Sequence, residues 1–398
     1  MAHDDIDRVV ERMLDGHEHS RRHFVRLMAG AGLTLSSGGL LAACGGVKGE
    51  SSGKKASTTA EHPKTAIGDW TFSNWPLYID KKVLKEFDAK YGGKVKYVED
   101  INDNYEFLGK VRQQLTGGQS IGRDIVVLTD YMASRWVTNG WVTAIDDANV
   151  PNKENLVDNL SSPDWDPDRS FSLPWQSGAI GIGYDPRKTG RELTSIKDFF
   201  DPEFKGRVSL FSEPYDAAGM VMLMQGVDPT KASLDQIMAA IDEIEKQQQA
   251  GQIRRFTGND YASDLTKGNL WVAMAYSGDL VQLKADNPNL EFVYPEEGAM
   301  LFTDNMMMPS NVDHPYAAET MMNYVYEPEV AAKIAAYVNY ISPVKGIKEI
   351  LLKSDPKIAN NPLIFPPEDV VARLHAYPAL SAADDRAMHE RMAEVVGA

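Results

Sequence analysis

From Gly68 onward, short runs rich in β-branched and aromatic residues alternate with stretches of helical period, and this alternation restricts the chain to sheets covered by helices. Residues 70–75 predict a strand. Val83, Leu84, Phe87 and Tyr91 then share one helix face, which Gly92-Gly93 ends. Residues 95–98 predict a second strand, Phe107, Leu108, Val111 and Leu115 mark a second helix, and residues 125–128 predict a third strand. The order is βαβαβ, hence a parallel-type sheet. A second stretch behaves alike, with strands at 179–184, 208–211 and 271–276 around a helix carrying Leu234, Ile237, Met238, Ile241 and Ile244. Beyond it the chain is mostly helical, led by residues 315–326 and 329–340, and no internal repeat is visible. The 398 residues suit two or three domains, or one large fold of two lobes.

Charge narrows the partners. With 41 Lys+Arg against 57 Asp+Glu the net charge is −16, which repels phosphate backbones and disfavours nucleic acid. The same field concentrates small cations.

Cys44 is the only cysteine, so neither an internal disulfide nor a thiolate metal cluster can form. Ahead of it stand Arg21-Arg22-His23-Phe24, a mildly apolar run over residues 27–40, and Leu41-Ala42-Ala43. Cations, apolar stretch and small residues in that order read as an export signal. The run is too short and glycine-rich for a permanent span of about 20 apolar residues. The paired arginines resemble the twin-arginine signal, and Leu-Ala-Ala-Cys resembles the lipobox of bacterial lipoproteins. These resemblances imply a signal peptide over residues 1–43 and a protein exported and lipid-anchored through Cys44 on the outer side of the cytoplasmic membrane. The other reading is an amphipathic first helix with an incidental cysteine. His17, His19 and His23 lie inside the leader, so they build no lasting metal site. Residues 44–66 are Gly, Ser, Lys, Thr and Ala for the most part, the composition of a flexible tether. The folded part is expected to begin near Gly68.

Some motifs suggest catalysis. Gly118-Gln119-Ser120-Ile121-Gly122 matches the serine elbow, and His314, His375 or His389 could complete a triad. The elbow needs a strand before the serine and a helix after it, whereas here the order is reversed. A glycine-rich αβ loop is the better reading. Residues 49–55 match a phosphate loop only loosely and read as tether. Met306-Met307-Met308 would alternate between the faces of a strand, so they read as core rather than as a copper site. No metal and no cofactor is expected.

Other motifs suggest binding. In open α/β sheets, ligands sit beyond the carboxyl ends of strands. Asn74-Trp75-Pro76-Leu77-Tyr78 stands at the C-terminal end of the first strand, Thr129-Asp130-Tyr131 follows the third, and Tyr276-Ser277-Gly278-Asp279 stands at the end of the strand at 271–276, while Phe302-Thr303-Asp304 adds a further aromatic and carboxylate. Aromatic faces attract alkylammonium groups and a carboxylate neutralises them. Singly, each has another reading: Trp75 and Tyr276 as core aromatics, Asp279 and Asp304 as caps or turn residues.

Together with Asp124-Ile125-Val126-Val127, Pro174-Trp175, Tyr340-Ile341-Ser342-Pro343 and Asn361-Pro362-Leu363-Ile364-Phe365, these motifs resemble the spermidine/putrescine-binding lipoproteins of bacterial ABC transporters. The resemblance runs from about Asp69 to the C-terminus. It implies an α/β, bilobal periplasmic-binding-protein fold of type II, with lobe 1 over residues 67–174 and 306–345 and lobe 2 over 175–305 and 346–398. Hinge crossings are expected near Pro174, Asn305 and Pro343. The implied function is capture of a polyamine and its delivery to a membrane permease, by a monomer that is not an enzyme. Carried onto this sequence, the ligand-facing residues are Trp75, Tyr78, Thr129, Tyr131, Tyr276, Asp279, Phe302, Asp304 and Tyr340, with Asp216 favoured from Glu213-Pro214-Tyr215-Asp216. Two departures bear on selectivity: Pro76-Leu77 replaces a polar or acidic residue between the Trp and Tyr of the first motif, and Tyr276 replaces Trp. They point toward a shorter, monocationic or modified amine. The alternatives are a binder of another small solute, such as an amino acid, and a secreted serine hydrolase using Ser120.

Overall fold

The structure, a computed structural model, describes residues 60–378 and 380–397. The expected signal peptide, Cys44 and the tether as far as residue 59 lie outside the described residues.

Strand β1 (Asp69–Asn74) pairs in parallel with β2 (Lys94–Glu99) and β3 (Ile125–Thr129). Helix α1 (Lys81–Tyr91) is opened by Asp80, whose side chain accepts from the Lys82 amide, and buries Val83, Leu84 and Phe87. Gly92 at φ 78° stops it, a left-handed conformation that glycine adopts without steric cost. Helix α2 (Asn104–Thr116) begins where Asp103 caps the amides of Tyr105 and Glu106. Strand β3 is buried throughout, as a parallel strand covered on both faces must be. It leads directly into α3 (Asp130–Thr138).

The second half repeats the plan with β6 (Val208–Phe211), β7 (Ile253–Thr257) and β8 (Val272–Tyr276), joined in parallel in the order β8-β6-β7. Helices α4 (Pro214–Met224), α5 (Leu234–Gln249) and α6 (Ser277–Leu283) belong to it. Between the two parallel groups run β5 (Ser172–Tyr184) and β10 (Ala299–Pro309), antiparallel to each other and to β8 and β3 respectively. The sheet therefore reads β2-β1-β3-β10-β5-β8-β6-β7, two α/β lobes joined by strands common to both. Ser177 and Ile341 exchange backbone hydrogen bonds of 2.8 Å at a further connection. Short strands β4 (Val142–Thr143), β9 (Glu291–Val293) and β11 (Leu374–His375) add to β10, β5 and β10. Helices α7 (Pro315–Val325), α8 (Pro328–Val338) and α9 (Ala382–Val396) follow in the C-terminal part.

The shared strands change register between Asp304 and Asn305, which face Gln176 and Pro174. Proline has no N–H for the ladder, so an irregularity belongs at this point. Beside it, buried Arg169 donates to Ser172 and to Asn305 Oδ1, each at 2.9 Å, and Asn305 donates to Asp130 at 2.8 Å. Met306 and Met308 pack into the larger of two buried apolar clusters and Met307 into the other, the alternation expected of a strand.

The chain is engaged ahead of Gly68. The His62 amide donates to Asp146 at 3.0 Å, and its Nδ1 lies 2.6 Å from Glu319, which is fully buried and also accepts from Asn149 and the Asp146 amide. Replacing His62 by Ala leaves that desolvated carboxylate short of a partner, a cost of about 1–3 kcal/mol. A lowered melting temperature and earlier cleavage at residues 60–66 in limited proteolysis are expected.

Candidate functional site

Side chains from both lobes and from the shared strand β10 converge on one cleft, concave and walled by aromatic rings with a few polar groups, as small-molecule sites are. All ten residues expected to face a ligand line it.

From the first lobe, Trp75 follows β1 and is held by its indole N–H on the Val127 carbonyl at 3.0 Å. A turn through Leu77, at a left-handed φ of 59°, then brings Tyr78 inward. The Tyr78 hydroxyl donates to Asp304 Oδ2 at 2.8 Å, and the Thr129 hydroxyl, at the end of β3, donates to Asp304 Oδ1 at 2.8 Å. Register accounts for the second contact: Asp304 of β10 lies opposite Thr129 of β3. Tyr131, one residue into α3, stacks on Tyr215 at 4.4 Å and 15°.

From the second lobe, Asp216 occupies the first turn of α4 after β6, and Asp279 the first turn of α6 after β8. Asp216 accepts from the Tyr377 hydroxyl at 2.6 Å and from Tyr276 at 3.4 Å. Asp279 accepts from Tyr340 at 2.8 Å and Tyr261 at 2.9 Å. Tyr340 follows α8, whose last turn ends at Asn339 in the left-handed conformation. Its ring lies against Gly178 and Gly278, where an added Cβ would stand 2.8 Å and 2.6 Å away, so only glycine admits the ring there. Phe302 closes the wall, edge-on to Tyr276 at 5.3 Å and to Tyr340 at 6.0 Å.

The three aspartates share one construction: each carboxylate is held by two hydroxyl donors. Asp216 and Asp304 are buried, and among the described residues neither has a Lys or Arg within ion-pair distance. Among the described residues, no Lys, Arg or His lines the cavity. Burial pushes the Asp304 carboxyl up to about 7 against the opposing pull of the Thr129 and Tyr78 hydroxyls. Asp216 is likewise pushed up to about 7 by burial, opposed by the hydroxyls of Tyr377 and Tyr276. Glu213 is raised well above the carboxylate range by burial and by Asp103 and Asp216; it meets the Asn104 amide at 3.1 Å. Burial also lifts the Tyr78, Tyr276, Tyr340 and Tyr377 phenols, so their hydroxyls stay protonated and donate. An aromatic-walled cavity with desolvated carboxylates and no lining cation is built to receive positive charge.

Beyond those ten, Pro76 and Leu77 also line the cavity, as do Asn104, Asn259, Gln282 and Tyr377, which no sequence expectation named. Asn104 stands at the start of α2 beyond β2, where strand-end logic could have found it, and donates to Thr129 and Tyr131 at 3.0 and 2.8 Å. Tyr377 lies in an irregular segment with no strand period before it, and Asn259 and Gln282 carry no motif. Ser120 donates to Asp313 at 3.0 Å and accepts from the Gly122 amide, while His314 engages Asp124. The loop lies between α2 and β3. Among the described residues, no three His, Cys, Asp or Glu side chains converge as metal ligands, and no helix is long and apolar enough to cross a membrane.

The family model for bacterial extracellular solute-binding proteins matches residues 82–366. The chain belongs to that family. Among relatives of this solute-binding protein, the putrescine-binding periplasmic protein SpuD of Pseudomonas aeruginosa is 28% identical over 334 residues, spanning 79% of this chain and 88% of its own. The putrescine-binding periplasmic protein PotF of Escherichia coli is 29% identical over 320 residues, with 76% and 84% covered. A solved structure of a putative spermidine/putrescine ABC transporter from Listeria monocytogenes superposes with a TM-score of 0.73 at 25% identity, over 82% of this chain and 98% of that one. The likeness covers both lobes, and this solute-binding protein works outside the cytoplasm, as its family does.

Proposed function

We propose that this solute-binding protein captures a polyamine of the putrescine or spermidine class and delivers it to the membrane permease of an ABC importer. The observation that carries the reading is the set of three aspartates, each braced by two hydroxyls, in an aromatic cavity that no cation lines among the described residues. The names of the polyamine-binding relatives support it. In this account methylenes lie between Trp75, Tyr78, Tyr276, Phe302 and Tyr340, while Asp216, Asp279 and Asp304 take the ammonium groups. Lobe 1 comprises 67–174 and 306–345 and lobe 2 comprises 175–305 and 346–398, and they hinge near Pro174, Asn305 and Pro343. Closure presents a new surface to the permease. No covalent step is required, and the engagement of Ser120 with Asp313 supports binding over hydrolysis.

Putrescine should alter the emission of Trp75 and stabilise the fold by mass action, about 2.7 kcal/mol at a hundred times the dissociation constant. Unchanged emission and melting temperature at saturating putrescine would count against the reading.

The protein acts as a monomer tethered by a lipid on Cys44, a reading supported by Leu41-Ala42-Ala43-Cys44 behind the paired arginines. Cys44→Ala is expected to move the protein from the membrane fraction to the soluble one. An unmodified cysteine in the intact mass of the membrane-bound protein would exclude the anchor.

A further inference from the structure

The family match ends at residue 366, yet the chain beyond it crosses the cleft. Helix α9 rests on the second lobe: Met388, Met392 and Val395 are buried, the helix packs on α5 and α4, and Arg391 pairs with Asp242 at 2.9 Å. From this base Asp385, only 9% exposed, reaches three partners. Its Oδ1 accepts from Tyr105 at 2.9 Å and from Tyr215 at 3.1 Å, and its Oδ2 accepts from Arg135 Nη1 at 2.9 Å. Tyr105 and Arg135 belong to α2 and α3 of the first lobe, Tyr215 to α4 of the second. One helical turn further on, the His389 ring stacks on Tyr105 at 3.9 Å and 10°. Asp385 itself does not line the cavity.

We propose that the segment after residue 366 is an inter-lobe latch in which Asp385, carried by α9 on the second lobe, fastens Tyr105 and Arg135 of the first lobe and so sets how long the cleft stays closed. Charge-assisted hydrogen bonds are the stronger kind, and these join α9 to α2 and α3 of the first lobe, so parting the lobes would break them. A contact made only in the closed state favours that state by its own differential energy and leaves the ligand's direct contacts unchanged. Asp385 is therefore a positioning residue. Its partner Tyr215 carries the effect inward by stacking on Tyr131, a cavity residue. Tyr377, from the same segment, bonds Asp216 and lies edge-on to Tyr131 at 5.3 Å.

The test compares wild type with Asp385→Asn, Asp385→Ala and Tyr105→Phe, and with Glu394→Gln, whose side chain is 73% exposed on the same helix, as control. Small-angle scattering of the ligand-free proteins reads closure without reference to any ligand, and stopped-flow displacement reads putrescine release. The latch predicts a larger radius of gyration for both Asp385 variants and release at least tenfold faster, a smaller shift for Tyr105→Phe, and none for Glu394→Gln. Asp385→Asn keeps the side-chain shape should the alanine variant fail to fold. A wild-type radius in the Asp385→Asn protein, whether or not its melting temperature falls, would reduce Asp385 to a helix anchor and overturn the proposal. Should putrescine not bind wild type, the polyamine reading falls, and the scattering comparison alone decides the latch.

Discussion

Asp304→Asn is expected to weaken putrescine binding by far more than tenfold. The carboxylate is 5% exposed and lies between two lobes, so an ammonium group that meets it has already left water. Removing the charge leaves that ammonium desolvated without its counter-ion, a loss of roughly 2–5 kcal/mol for a buried, hydrogen-bonded pair. Asparagine keeps the shape but offers one acceptor oxygen where Tyr78 and Thr129 now use two, so one hydroxyl also loses its partner. Asp279→Asn should behave alike, because its two oxygens serve Tyr340 and Tyr261 in the same way. Trp75→Ala should cost less, near the ~2 kcal/mol of a desolvated cation–π contact. Asp158→Asn supplies the control: that side chain is 93% exposed and pairs with Lys345 at the surface. Calorimetric titration orders the variants, and wild-type affinity in both Asp304→Asn and Asp279→Asn would remove the electrostatic basis of the site.

Binding should also strengthen steeply as pH rises through about 7. Asp304 and Asp216 are both pushed up to about 7 by burial, from an ordinary value of 3.8. A cation binds their ionised forms, so below that pH each carboxyl must first release its proton. Affinity then falls by up to about tenfold per unit of pH for each group involved. The stability of the empty protein runs the other way. Between 3.8 and 7 the folded state holds protons that the unfolded chain has lost, so ν_U − ν_N is negative and these two groups reduce stability as pH rises across that window. Above pH 7 putrescine offsets the loss by pairing with the charges. Calorimetry in two buffers of different ionisation enthalpy reads the protons released near pH 6.5, by order of magnitude one per buried carboxyl. Asp304→Asn should flatten the pH profile and reduce that release. A pH-independent affinity between 5 and 8 would mean that the carboxylates do not meet the cation.

Much of this site was legible because strand ends and helix starts carry local signals. Trp75 and Tyr276 end predicted strands, Thr129 and Asp279 follow them, and the sheet gathers strand ends at one edge of each lobe. The alternation of Met306, Met307 and Met308 between the two faces of their strand followed from period two. Asn259 and Gln282 carry no motif, and three other features were not legible either. The length of β5 is one: residues 172–178, with Pro174 and Gly178, lack strand-forming character, and pairing with β10 supplies their order. His62 is another, because its partner Glu319 lies far along the chain and no local pattern joins them. Tyr377 is the third. It is placed by β11, a two-residue pairing onto β10, which leaves no periodic trace in sequence.

The measurement that tests the central claim most directly is calorimetric titration of the wild-type protein, at pH 8 where both buried carboxyls are ionised, with putrescine, spermidine, γ-aminobutyrate, glutamate and a neutral sugar. The account predicts that the polyamines bind far more tightly than the zwitterion, and that glutamate and the sugar do not bind at all. Binding of glutamate or the sugar in preference to both polyamines would contradict it.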